Sequence, residues 1–148
     1  MPNEDRVIVS GCGPVGAVMT LALIRKGIPV TLIEQLPDAA EDQRAATIHA
    51  PTVEMLVKLG LETEMFAEDV SGGMQAPLFH FRERATNELI AVFDIGLLKG
   101  EVPYPYVVQW EQYKLVHAAL PHIKARASAR SASRPNSLVW RRPTIRSK

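Results

Sequence analysis

The chain has 148 residues, 47% hydrophobic and 22% charged, room for one domain of ordinary size and too little for two. Its formal net charge of +1 averages two unlike regions: residues 1–121 hold all 16 acidic side chains and nine basic ones, a net −7, while residues 122–148 hold eight basic and no acidic ones, a net +8. This division argues against a uniformly basic nucleic-acid-binding protein, the single Cys12 excludes an intramolecular disulfide framework, and the scattered His49, His80, His117 and His122 lack cysteine partners at zinc spacing.

The apolar run Val7 to Ile24 raises the question of a membrane span or signal peptide. An acidic start replaces the positive region a leader needs, and Gly11, Gly13, Pro14 and Gly16 interrupt the run. The expectation is a cytoplasmic protein with no membrane segment.

Arg6 to Ser10 is rich in β-branched residues and predicts a buried strand. From Pro14 to Lys26 a helix is expected, with Val15, Val18, Met19, Ala22 and Leu23 at helical spacing and Gly27 as its stop. Ile28 to Glu34 predicts a second strand, so the chain opens β-α-β with parallel strands. Residues 35–47 read as a polar loop, Pro51 to Leu59 as a helix, and Glu62 to Ala67 as a weaker one. After Gly72-Gly73, Leu78–Phe81 and Leu89–Phe93 predict an antiparallel strand pair. An extended stretch then runs to Gln109, and Glu111 to Leu120 predicts a helix. The Ser/Arg/Ala-rich sequence from about Lys124 has no usable apolar period and reads as disordered.

The segment Gly11-Cys12-Gly13-Pro14-Val15-Gly16 is a Gly-x-Gly-x-x-Gly loop placed after a strand and at the start of a helix. In that setting Gly11 serves the tight turn, Gly13 admits a pyrophosphate, and Gly16 lets the helix lie close to the strand. The helix N-terminus offers N–H groups to phosphate. Glu34, 23 positions beyond Gly11, is placed to accept hydrogen bonds from an adenosine ribose. A carboxylate there repels a 2′-phosphate, which disfavours NADP in this loop and leaves NAD and FAD open. Cys12 reads as a small packing residue, and none of the four histidines has a role.

Three blocks resemble the FAD-dependent aromatic hydroxylases, the flavoprotein monooxygenases related to p-hydroxybenzoate hydroxylase. They are Val7 to Gly16 with Val30 to Glu34, Gln43 to Leu56 followed by Leu59-Gly60-Leu61, and Tyr104 to Glu111 with the helix after it. The resemblance covers about residues 6–121. It implies an α/β fold: a Rossmann-like FAD-binding βαβ unit with an incomplete parallel sheet and a small antiparallel pair. Residues 1–121 would be a partial FAD-binding domain, with 70–108 the start of substrate-domain strands, and 122–148 a basic tail. By resemblance, Gly11, Gly13, Pro14, Val15 and Gly16 line the FAD pyrophosphate and Glu34 binds the ribose. Arg44 reaches over the FAD near its phosphates, and Gln109 contacts the ribityl region. The implied reaction is hydroxylation of an aromatic or polycyclic small molecule. NAD(P)H reduces the flavin, and one atom of O₂ enters the substrate. None of these residues is a catalytic acid or base, and no metal is implied.

The resemblance also implies a parallel strand near Pro121 to Arg126, and the family's later Gly-Asp and Asp-Gly blocks are missing. A truncated or frame-shifted product would account for the length and the change of composition, and such a chain would retain FAD weakly or not at all. Two other readings are an NAD-binding Rossmann oxidoreductase fragment and a non-catalytic remnant whose basic tail meets nucleic acid through charge alone.

Overall fold

The computed structural model describes residues 6–36, 41 and 45–131, and contacts divide the chain into two units, residues 1–44 with 112–148 and residues 45–111. In the first unit, β1 (Val7–Ser10), α1 (Pro14–Arg25) and β2 (Val30–Ile33) form the expected βαβ arrangement. The strands pair in parallel from Val7 opposite Val30 to Ser10 opposite Ile33. A helix near the C-terminal end of the described chain, α4 (Gln112–Ser131), packs against α1. The core here holds Val9, Ala17, Leu21, Ile24, Val30 and Leu32, together with Leu115, Val116, Ala119 and Ile123 from α4.

β1 buries Val9 alone, with Val7 and Ile8 39% and 67% exposed, so it is not the buried strand expected, and two further expectations need correction in this unit. The face that α1 buries carries Ala17, Thr20, Leu21 and Ile24, whereas Val15 and Met19 of the expected stripe are 81% and 51% exposed. The helix is apolar on nearly every side, so spacing alone does not select the face that packs. The second correction concerns residues 121–126, which are helix and not the parallel strand implied by resemblance. Pro121 lies inside α4, although its ring removes one backbone donor from the ladder. Beyond it, Ala, Lys and Arg favour helix, and buried Ile123 extends the Leu115–Ala119 row at four-residue spacing. The boundary expected at 121/122 therefore falls within α4, residues 124–131 are helical and not disordered as read, and the tail from residue 132 lies outside the described residues.

The second unit begins with β3 (Thr47–Ile48), α2 (Ala50–Lys58) and α3 (Glu62–Met65). It continues through β4 (Met74–Ala76), β5 (Leu78–Arg82), β6 (Leu89–Asp94) and β7 (Val107–Gln109). β7 is the central strand of an antiparallel sheet ordered β3-β7-β4. The short strands β3 and β4 had no counterpart in the sequence reading. Val53 and Leu56 from α2, Leu61, Met65, Val107, Val108 and Trp110 are fully or almost fully buried. The Trp110 indole N–H donates to the Ser71 carbonyl at 2.7 Å, which satisfies its one polar atom inside the core. β5 and β6 form the expected antiparallel pair, with Phe81 and Phe93 in edge-to-face contact at 5.3 Å. No helix among the described residues is long and apolar enough to cross a membrane.

Candidate functional site

The glycine loop is shaped by the register of the two parallel strands. Ser10 stands opposite Ile33, so the next residues, Gly11 and Glu34, leave the sheet side by side. The Gly11 N–H donates to the Ile33 carbonyl at 2.7 Å, and Gly11 turns at φ +93°, where an L side chain is strained. A methyl group on Gly16 would lie 1.9 Å from the Gly11 carbonyl oxygen. Gly16 thus permits the approach of helix to strand that the sequence pattern implied.

Gly13 is different. A methyl there would meet nothing within 4 Å, so the loop is open above it. Gly13 is the N-cap of α1 and Pro14 occupies the first turn, with no side chain capping the helix. The Ala17 N–H bonds back to the Gly13 carbonyl at 2.9 Å. The earlier N–H groups of the turn have no partner within the helix, and they form the positive end of its dipole. Val15 projects from this turn into solvent.

Glu34 is bound into the loop. Its Oε2 accepts the Cys12 N–H at 2.6 Å, and its Oε1 accepts the Leu36 N–H at 2.9 Å. The N–H groups of Leu36 and then Cys12 hold the carboxyl below the usual carboxylate range. Each oxygen keeps further acceptor capacity for a hydroxyl. The sequence reading assigned Glu34 to the ribose and missed its role as a brace; the strand register was the signal that could have found it. Cys12 itself is 4% exposed, and burial, then the nearby Glu34 charge, pushes its thiol up to about 11 despite opposition from Lys124. It packs and does not act as a thiolate.

In the second unit Gln109 lies on β7, directly opposite Thr47 on β3 and Met74 on β4. The Thr47 hydroxyl donates to Gln109 Oε1 at 3.0 Å. Arg44 lies outside the described residues. No group of three metal-ligating side chains occurs among the described residues.

The residues of the loop fit a dinucleotide: open space above Gly13, an uncapped helix of 12 residues and a carboxylate at the end of the second strand. Comparison with known proteins agrees. The profile of the family described as FAD binding domain matches residues 4–131. The chain is 32% identical over 125 residues to 6-hydroxy-3-succinoylpyridine 3-monooxygenase of Pseudomonas putida (strain DSM 28022 / S16), covering 84% of this chain and 30% of that protein. It is 31% identical over 124 residues to para-nitrophenol 4-monooxygenase of Pseudomonas sp. (strain WBC-3), with the same coverage of 84% and 30%. The crystal structure of p-nitrophenol 4-monooxygenase from Pseudomonas putida DLL-E4 shares the fold, with a TM-score of 0.75 and 24% identity over 92% of this chain and 32% of that one. The chain thus spans about 30% of the length of the relatives it matches.

Proposed function

The chain belongs to the FAD binding domain family, and on that premise we propose that it is the FAD-binding portion of a flavin-dependent monooxygenase acting on an aromatic or polycyclic small molecule. NAD(P)H would be the co-substrate and the cytoplasm its location. The observation that carries this reading is the glycine loop braced by Glu34, with open space above Gly13. Gly11, Gly13, Pro14, Val15 and Gly16 hold the pyrophosphate against the N-terminus of α1, and Glu34 accepts from the ribose hydroxyls. Arg44 neutralises phosphate charge, and Gln109 donates to the ribityl chain. The hairpin β5–β6 begins the substrate-binding part.

FAD supplies the redox and oxygen-transferring chemistry when bound, and these residues supply position and electrostatics. None of them moves a proton. Titrating the purified chain with FAD and with NAD tests the reading. The reading predicts saturable FAD binding that ADP displaces, and weaker binding of NAD. Tighter binding of NAD than of FAD would overturn the reading in favour of an NAD-binding oxidoreductase.

A further inference from the structure

We propose that Thr47 is a positioning residue for Gln109, its hydroxyl fixing which end of the carboxamide is free to meet a ligand. The two residues lie 62 positions apart, and the antiparallel pairing of β3 with β7 sets them directly opposite each other. On the other flank of β7, Met74 stands opposite Gln109. Residues opposed across a ladder share a face, so Thr47, Gln109 and Met74 make one row across three strands.

Within that row the chemistry is unequal. A methionine sulfur is a weak acceptor, while the threonine hydroxyl is a full donor. The Thr47 O–H donates to Gln109 Oε1 at 3.0 Å, which leaves the two Nε2 protons as the groups Gln109 can offer outward. Threonine suits this task because its branched side chain is stiff at χ1. The backbone on both sides is also held. The Trp110 N–H donates to the Ala46 carbonyl at 2.6 Å, and the buried Trp110 indole is bonded to Ser71. An unpaired carboxamide would present either end and would lose rotamer freedom on binding. The paired one is preorganised as a donor, the polarity that hydroxyl oxygens of a ribityl chain accept. The inference rests on the reading of Gln109 as the ribityl ligand, and its test keeps the two apart.

The test uses the full chain with Thr47→Val, Thr47→Ser, Gln109→Leu and the Thr47→Val/Gln109→Leu double variant, each titrated with FAD and with ADP. Loss of one hydrogen bond predicts FAD binding weakened about five-fold in Thr47→Val and restored in Thr47→Ser. ADP lacks the ribityl chain, so its affinity stays unchanged, and the double variant binds FAD no more weakly than Gln109→Leu alone. If Gln109→Leu binds FAD as the wild type does, the ribityl reading falls. If Gln109→Leu is weakened while Thr47→Val is not, the role of Thr47 falls and the ribityl reading stands. A second measurement needs no ligand: the ¹⁵N relaxation of the Gln109 side-chain amide. It is rigid in the wild type and Thr47→Ser, and as mobile in Thr47→Val as that of Gln75, an exposed glutamine on β4. A wild-type Gln109 amide already as mobile as that of Gln75 would overturn the proposal.

Discussion

The Cys12 N–H donates to Glu34 Oε2 at 2.6 Å, so the carboxylate expected to hold a ribose also braces the glycine loop. The same group braces the loop and, in the proposed site, accepts from the ribose. Replacing Glu34 by Ala therefore loosens the loop and removes the ribose acceptor together. A charged hydrogen bond of this kind predicts ADP binding weakened about ten-fold, measured by calorimetry. Unchanged ADP affinity would detach Glu34 from the site.

The brace also has a defined pH dependence. Because the Leu36 and Cys12 N–H groups lower the Glu34 pKa from its ordinary 4.5, its stabilising effect is full above that value and disappears as pH falls through the lower folded value. The Cys12 amide resonance should stay constant from neutrality down to the ordinary glutamate value and move only below it. An inflection at or above 4.5 would contradict the hydrogen-bonded geometry.

Gly13 and Gly16 separate binding from folding. Gly16→Ala drives a methyl group into the Gly11 carbonyl at 1.9 Å and should destabilise the chain by about 1–3 kcal/mol in urea unfolding. Gly13→Ala meets no atom within 4 Å, so stability changes by less than about 1 kcal/mol while ADP binding is lost. Equal effects of the two substitutions on stability would show that the space above Gly13 is not open.

Cys12 should resist thiol reagents. With its pKa pushed up to about 11, the thiolate fraction at pH 8 is about one in a thousand, and burial blocks approach as well. Alkylation is expected to be slow in the native chain and fast in denaturant. Fast native labelling would contradict the buried geometry.

Ile123 tests the extension of α4 beyond Pro121. Ile123→Ala removes a side chain that is 1% exposed and should cost about 2–4 kcal/mol of stability. A cost below about 0.5 kcal/mol would return this segment to a solvated tail.

What the sequence makes legible follows the range of the interactions. The unit β1-α1-β2 and its loop are local, and the glycines, Pro14 and Glu34 mark each joint within the first 34 residues. The packed face of α1 is not legible, because Val15 and Met19 are as apolar as Leu21 and Ile24 and only packing against α4 and the two strands distinguishes them. Pro121 is a strong local stop signal that burial of Ile123 overrides. The Thr47–Gln109 pair is hidden for a different reason. It depends on pairing two- and three-residue strands across 62 positions, and strands so short leave no alternation to read.

Residue-level NMR during a titration tests the proposed FAD binding most directly. With ADP, the amides of Cys12, Gly13, Val15, Gly16 and Glu34 should shift while the Gln109 side-chain amide stays in place; with FAD, the Gln109 amide should shift as well. FAD that saturates the chain while leaving the loop amides unmoved would contradict the account.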